Sequence, residues 1–166
     1  MTTQKLRYFK PHEFDLTRFK GGEDWWTLMD APLLQLLDKL RDRWGRPIRI
    51  SPIRGALGRR MGPHSRSDHN IDVHGRVMCA DVFVDGVETR HDATALIDAA
   101  EGMGLNAVGL YPHWINGNGE QQTGFHLGRR PGLTRVARWG KIRTERGGPQ
   151  KQVSQSEALA YVGVPL

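Results

Sequence analysis

The sequence lacks paired cysteines, long apolar runs, repeats and low-complexity stretches, and each absence excludes a class of protein. The single cysteine, Cys79, excludes an internal disulfide, and its apolar neighbours predict a small buried side chain rather than a reactive thiol. No stretch approaches the ~20 apolar residues of a membrane-spanning helix. The opening residues also lack the apolar core of a signal peptide, so we expect a chain made in the cytoplasm without its own secretion signal.

The length and composition favour one folded domain. The chain has 166 residues, of which 38% are hydrophobic and 25% charged, so disorder is not expected. Its net charge of +6 makes a nucleic-acid partner worth considering. However, the basic residues are scattered, and no aromatic residues alternate with them to stack on bases. We therefore do not expect nucleic acid as a partner, and the basic surface suits other polyanions, including the anionic bacterial envelope.

Two helices are predicted from apolar periodicity and from capping residues. The first runs from 31 to 44, where Asp30 is a good N-cap and Gly45 can end the helix in a left-handed conformation. The second runs from 89 to 103 and begins with a capping box between Thr89 and Asp92. The sequence therefore contains at least two amphipathic helices able to cover a sheet.

Strand patterns surround these helices. The segment 77–84 is continuously apolar except for Asp81, and further strands are predicted at 46–51, 106–111, 124–127 and, as an edge strand, 135–142. Residues 55–76 have no period and are predicted to form one long loop, which in a compact domain is usually functional or mobile. Residues 144–166 are predicted to be a C-terminal tail that follows a single domain, 1–143. Together these segments predict a loop-rich α+β fold.

The carboxylate of Asp81 is the first candidate for chemistry. A charged group in an apolar strand costs several kcal/mol unless a cation or hydrogen-bond donors meet it. The partner could be an arginine, in a structural ion pair, or a metal ion. His69, in the preceding loop, and His126, in a short apolar segment, could complete a zinc site of two imidazoles and one carboxylate with an open fourth position. Their spacing fits no short metal motif, so surface histidines and a paired Asp81 remain the alternative.

Several motifs follow one another in a characteristic order. They are Tyr8-Phe9-Lys10-Pro11-His12-Glu13-Phe14, then Pro47-Ile48-Arg49-Ile50-Ser51-Pro52-Ile53-Arg54, then Ser67-Asp68-His69-Asn70, then the strand that carries Asp81, and finally Gly109-Leu110-Tyr111-Pro112-His113-Trp114 and Gly124-Phe125-His126-Leu127. In this order, from about Tyr8 to Trp139, the chain resembles the M15 family of zinc peptidases. Those enzymes are D-alanyl-D-alanine carboxypeptidases and L-alanyl-D-glutamate endopeptidases, and the resemblance is to a phage-associated branch.

The resemblance implies a fold, a cofactor and site residues. The expected fold is that of the zinc DD-peptidases (hedgehog/DD-peptidase-like), with helices packed on a small antiparallel sheet. The expected zinc ligands are His69, Asp81 and His126. Arg54 falls where the family binds a substrate carboxylate, although it could equally be a surface residue at a strand end. Ser67 is expected either to bind substrate or to hold the His69 loop.

The sequence departs from the family pattern at two positions. The first histidine usually lies seven residues before the aspartate, which is the position of His74, so His74 remains a rival to His69 as the ligand. The position of the usual acidic base, three residues before the second histidine, holds Thr123, which cannot take up a proton. His113 and Glu120 are the nearest replacements in sequence, and either could instead be an ordinary loop residue. Asp68 and Asp72 are candidates for orienting His69.

The expected function is therefore that of a zinc-dependent peptidase acting on peptidoglycan stem or cross-link peptides, encoded by a bacteriophage and acting at the bacterial cell wall. The alternative is a structural component of the virion or tail that keeps the zinc-binding fold without catalysis. In that case its partners would be other virion proteins. Thr123 at the usual base position and the lack of a secretion signal favour this alternative.

Overall fold

The computed structural model describes residues 6–14 and 24–166. The elements within them are a 3-10 turn at Pro11–Phe14, the helices α1 (Trp25–Leu28), α2 (Ala31–Trp44), α3 (Ile71–His74), α4 (Arg90–Gly102) and α5 (Gln155–Leu159), and the strands β1 (Ile48–Ile50), β2 (Cys79–Val84), β3 (Ala107–Ile115), β4 (Gln121–Gly128), β5 (Ala137–Ile142) and β6 (Lys151–Val153). The α+β class predicted from the sequence is confirmed. No helix in these residues is long and apolar enough to cross a bilayer.

The six strands form one mixed sheet in the order β1-β2-β4-β3-β5-β6. All neighbouring strands are antiparallel except β3 and β5, which are parallel. The expectation of a small, wholly antiparallel sheet is therefore wrong in one pairing. The reason is the connection 129–136, which leaves β4 at the edge where β3 begins and starts β5 in the same direction as β3.

The two long helices begin and end where their capping residues predict. The Asp30 carboxylate accepts a hydrogen bond from the Leu33 backbone N–H, and Gly45 ends α2 with a φ of 70°. Thr89 and Asp92 form the predicted capping box at the start of α4. Because Leu33, Leu37 and Leu40 of α2 are fully buried, this helix contributes the central part of the core.

The two faces of the sheet have different roles because successive side chains on a strand point to opposite faces. On one face, Val82 of β2, Phe125 of β4 and Leu110 of β3 are fully buried in the main core together with the apolar faces of the helices. The other face carries Asp81 and His126. Polar chemistry is thereby separated from the core by the thickness of one sheet.

Residues 144–166, which were predicted to be a tail, belong to the domain. The strand β6 pairs with β5, and α5 packs against the same strand. Ala158 is fully buried, and the Gln155 side chain donates a hydrogen bond to the Val108 carbonyl oxygen at 3.0 Å. The helix can approach so closely because Gly140 has no side chain: a Cβ there would lie 2.3 Å from the Cβ of Ala158. As a consequence β5 is an inner strand and not the predicted edge.

The predicted loop 55–76 is more ordered than its lack of periodicity indicates. Arg59 donates a backbone hydrogen bond to the His69 carbonyl at 2.7 Å and accepts one from Ile71 at 3.1 Å, and the short helix α3 follows. Asn70 caps α3 and donates two side-chain hydrogen bonds, to the carbonyls of Gly62 and Ser65. These bonds close the segment into a compact loop, in which Arg59 and Asn70 form a parallel bridge, and bring His69 to the polar face of the sheet.

Candidate metal centre

Three elements bring the predicted ligands together. Asp81 of β2 and His126 of β4 are direct cross-strand partners, and the closed loop adds His69. The distance from Asp81 Oδ1 to His126 Nδ1 is 3.0 Å, and that from Asp81 Oδ1 to His69 Nε2 is 3.3 Å. The side chains that the sequence singled out therefore converge on one point, although 45 residues separate Asp81 from His126.

Outer hydrogen bonds determine which imidazole nitrogens face this point. His69 Nδ1 lies 3.1 Å from the Leu57 carbonyl oxygen, which can only accept, so Nδ1 carries the proton and Nε2 presents a lone pair. His126 Nε2 lies 3.2 Å from a carboxylate oxygen of Asp68, so the neutral ring presents the lone pair of Nδ1. Two nitrogen lone pairs and a carboxylate then face one another, and only a cation, a proton or a metal ion, stabilises that arrangement.

The spacing of these atoms fits a tetrahedral zinc ion. Zinc binds imidazole nitrogens and carboxylate oxygens at about 2.0–2.1 Å, which places neighbouring ligand atoms about 3.3 Å apart. The two distances from Asp81 to the imidazole nitrogens, 3.0 and 3.3 Å, are close to that separation. The donor set of two nitrogens and one oxygen is also one that zinc commonly takes.

In the described part of the chain, Asp81 is not paired with an arginine, which was the alternative to a metal. Within residues 6–14 and 24–166, the ion pairs of Asp81 are made with the two imidazoles, and none is made with an arginine. The nearby guanidinium of Arg130 instead binds Asp68 with two hydrogen bonds, of 2.7 and 2.8 Å. Asp81 is therefore available to a metal.

The protonation of the metal-free cluster follows from burial and mutual attraction. Burial alone would raise the pKa of Asp81, but hydrogen bonds from His126 and His69 outweigh it and lower this pKa to about 2. Burial would lower the pKa of His69, but Cys79 and Asp81 raise it to about 10, and the pKa of His126 is likewise raised above its usual value. In the absence of metal the imidazoles hold protons, which a metal ion must displace.

Cys79 belongs to this cluster, which the sequence analysis missed. His69, Cys79 and His126 are all buried, and each offers a ligand atom within 4.8 Å of those of the other two, close enough to bind a metal ion. Burial would raise the pKa of the Cys79 thiol, but the two histidines lower it. The signal was present in the sequence: Cys79 lies two residues before Asp81 in a strand, and period two places both side chains on one face.

His69, Asp81 and His126 line a cleft of about 760 Å³ and form what we call its floor. Tyr111, Trp114 and Trp139 are among its aromatic lining residues, and each tryptophan ring lies close to a glycine of a neighbouring strand. A Cβ at Gly109 would be 2.7 Å from the Trp139 ring, and one at Gly124 would be 2.2 Å from the Trp114 ring. Cations are plentiful in the lining: Arg59, Arg66, Arg130, Arg138, Lys141 and Arg143. Among the described residues, the acids that line it are Asp68 and Asp81, so the cleft favours an anionic ligand.

The predicted substrate-binding residues separate into one inside and one outside the cleft. Ser67 lines the cleft, and its hydroxyl accepts a hydrogen bond from the His69 backbone N–H at 3.3 Å. Arg54 is exposed in a turn and is not among the residues that line the cleft. Arg59 and Arg66 lie there instead. A role for Arg54 in carboxylate binding stays a prediction without geometric support.

His74, the rival ligand, lies outside the donor cluster. Its side chain is exposed, and its Nε2 atom lies 3.3 Å from the Ser67 carbonyl oxygen. The closed loop directs His69 toward Asp81 and leaves His74 at the end of α3. The structure thus favours His69 over His74.

Neither predicted base lines the cleft. His113 is buried, accepts a hydrogen bond from the Arg143 backbone N–H at 3.0 Å, and packs against the Tyr161 ring, and burial lowers its pKa. Glu120 is exposed in the β3–β4 turn, where it accepts a hydrogen bond from Asn116. Thr123 is buried and lines a different cavity. Proximity in sequence to His126 was therefore a poor guide, because the hairpin turns these side chains away.

Asp68 and Asp72, the two candidates for orienting His69, make other contacts. Asp68 orients an imidazole, but that of His126 and not that of His69. Asp72 accepts hydrogen bonds from Arg60 and from the Gly62 backbone N–H, so it holds the loop and not a ligand. His69 is oriented by a backbone carbonyl, a partner that a sequence pattern cannot reveal.

Comparison with known proteins adds no assignment to this geometry. No family model matches the chain, and neither a curated protein nor a solved structure matches it.

Proposed function

We propose that this chain is a zinc-dependent peptidase that acts on anionic peptides of the bacterial cell wall and is encoded by a bacteriophage. One observation carries the proposal: the lone pairs of His69 and His126 and the carboxylate of Asp81 converge on the floor of a cationic, aromatic-lined cleft. The choice of peptidoglycan as substrate rests on the order of sequence motifs and on the excess of cations in the cleft.

The ligand set suits a hydrolytic metal. His69, Asp81 and His126 would hold the ion, which, when bound, acts as a Lewis acid and lowers the pKa of a coordinated water toward ~7. The protein contributes the orientation of the ligands. The Leu57 carbonyl holds the His69 ring, and Asp68, itself held by Arg130, holds the His126 ring.

The cleft supplies groups for binding and for charge stabilisation. Arg59, Arg66, Lys141 and Arg143 can receive the carboxylates of a peptide. Burial raises the pKa of Tyr111 to about 12, so its hydroxyl stays protonated at neutral pH. This hydroxyl accepts a hydrogen bond from Trp139 Nε1 at 2.9 Å, so its own proton can be donated to a carbonyl oxygen that gains charge. Tyr111 is thus a candidate electrophilic group, beside the unassigned base.

The test combines metal analysis with a cleavage assay. Purified protein is expected to hold one zinc ion, and zinc-loaded protein is expected to release new amino termini from purified peptidoglycan and from muropeptides. His126→Ala should lose both zinc and cleavage, whereas His74→Ala, which removes an exposed histidine of the same loop, should keep both. Zinc-loaded protein that leaves every wall substrate uncut would refute the peptidase.

A second candidate is a non-catalytic virion or tail component that uses the metal centre only to stabilise its fold. It is favoured by the position of His113 and Glu120 outside the cleft and by the additional sulfur donor, Cys79. His113→Ala and Glu120→Gln separate the two. If the protein is a peptidase and one of these residues is the base, its substitution should abolish cleavage. In a structural protein there is no cleavage to lose, and both variants should still bind zinc and unfold cooperatively.

A further inference from the structure

The single thiol of the chain lies in the interior beside the candidate metal ligands. Cys79 is fully buried, and its sulfur is within 4.8 Å of a nitrogen of His69 and of a nitrogen of His126. A buried thiol usually packs among apolar groups as a small hydrophobe. Here, two imidazoles face it instead, which is the surrounding of a metal ligand.

A glycine on the neighbouring strand leaves space beside Cys79 and His126. Cys79 and Asp81 are on the same face of β2, and the cross-strand partner of Cys79 is Gly128. A Cβ at Gly128 would lie 3.1 Å from the Cys79 Cβ and 3.3 Å from His126 Nε2. Any larger residue at this position would crowd both side chains, so the glycine leaves room for Cys79 and His126 to pack side by side.

We infer that the Cys79 thiolate is a fourth ligand of the metal, in addition to His69, Asp81 and His126. The thiol proton leaves to solvent as the sulfur–metal bond forms, with no change of oxidation state. Bond lengths of about 2.3 Å to sulfur and 2.0–2.1 Å to nitrogen place these atoms about 3.6 Å apart in a tetrahedral site. Side-chain shifts of about 1 Å bring atoms within 4.8 Å into that geometry.

Four protein ligands change the character of the site, an inference that rests on the proposed metal centre. Zinc sites with four protein ligands are closed, whereas hydrolytic sites keep one position for water. The resting protein then has no such position, and hydrolysis requires that the sulfur leave the metal. A thiolate also selects zinc over magnesium, calcium and manganese, which prefer oxygen ligands.

Cobalt substitution tests the inference without any activity assay. Co²⁺ bound to the full chain is expected to show intense near-ultraviolet absorption from thiolate-to-cobalt charge transfer, and zinc-loaded protein should show a sulfur scatterer at about 2.3 Å by X-ray absorption. Because the chain has one cysteine, Cys79→Ala and Cys79→Ser should abolish both signals, keep the visible bands of tetrahedral cobalt, and weaken zinc affinity by about tenfold or more. Met78→Leu, which removes the neighbouring sulfur, should leave both signals unchanged.

The outcomes separate this inference from the proposed function. Wild-type protein with only nitrogen and oxygen scatterers, or a charge-transfer band that persists in Cys79→Ala, overturns the inference whether or not peptides are cleaved. The X-ray measurement needs no variant, so a misfolded substitution cannot hide the answer. A thiolate signal together with uncut peptidoglycan, in both wild type and Cys79→Ala, supports the inference and refutes the peptidase. If the peptidase is real, Cys79→Ala should cleave faster than wild type at saturating zinc.

Discussion

Replacing Asp68 by asparagine tests whether the outer hydrogen bonds maintain the metal centre. The Asp68 carboxylate is buried and accepts hydrogen bonds from Arg130 Nε and Nη2, at 2.7 and 2.8 Å. Its Oδ2 atom also lies 3.2 Å from His126 Nε2. Asparagine keeps the size of the side chain but removes the charge and leaves one acceptor oxygen for two cationic or donor partners.

The substitution should weaken zinc binding and lower the stability of the metal-free protein. Loss of a carboxylate that orients a ligating histidine costs about 10–100-fold in metal affinity, or about 1.4–2.8 kcal/mol. The metal-free protein also loses the Arg130 pair. Because the Arg130 side chain is 38% exposed, water can solvate the guanidinium, so we expect about 1–2 kcal/mol and not the larger penalty of a fully buried charge.

Zinc competition against a chromophoric chelator measures the first loss, and urea unfolding in excess chelator measures the second. Asp72→Asn is the matched control, because this carboxylate lies in the same loop but contacts Arg60 and Gly62. An Asp68→Asn affinity within twofold of wild type, or an equal loss in Asp72→Asn, would refute the orienting role.

Three further predictions follow from the site and the core. In metal-free protein, the pKa of His69 is raised to about 10 from 6.5, so its stabilisation of the fold is complete below pH 6.5 and is lost as the pH rises toward 10. The pKa of Asp81 is lowered to about 2 from 3.8, so its stabilisation is complete above pH 3.8 and is lost as the pH falls toward 2. The free energy of unfolding by urea, measured in chelator, should thus be largest between about pH 4 and 6.5, the interval between the two unfolded-state pKa values. Added zinc should remove the loss of stability at alkaline pH. Gly140→Ala should destabilise the protein by about 1–3 kcal/mol, because its Cβ would meet α5, whereas Gly102→Ala, with nothing within 4 Å, should be neutral or stabilising in thermal unfolding. Lys141→Gln should raise the KM for a carboxylate-bearing peptide by about twofold to fivefold, with no effect on the same peptide as its amide.

The inferred Cys79 ligand and the lack of an identified base among the described residues both concern whether the proposed centre can hydrolyse a peptide. A centre with three ligands and an open position suits hydrolysis, but a base must stand near the metal. In the proposed centre, His69, Asp81 and His126 would be occupied as metal ligands, and Asp68 contacts Arg130 and His126. The measurements on Cys79 therefore show whether the resting centre is closed, and the cleavage assay shows whether it still hydrolyses peptides.

The sequence alone determined the parts of the fold that depend on neighbours within a few residues. The periodicity of α2 and α4 and their capping residues placed both helices to within a residue, because caps and helical hydrogen bonds reach only four positions along the chain. The isolation of Asp81 in an apolar strand likewise predicted a cationic partner, because burying a charge is costly wherever the strand lies.

Only the tertiary structure decided which groups meet. The choice of His69 over His74 depends on a loop closed by hydrogen bonds between Arg59, His69 and Ile71, and the pairing of Asp68 with His126 spans 58 residues. The C-terminal segment joined the sheet because Gly140 admits α5, which no local pattern within 144–166 indicates. Strand register and loop path arise from contacts between distant residues, and these contacts placed Cys79 beside the two imidazoles and kept His113 and Glu120 out of the cleft.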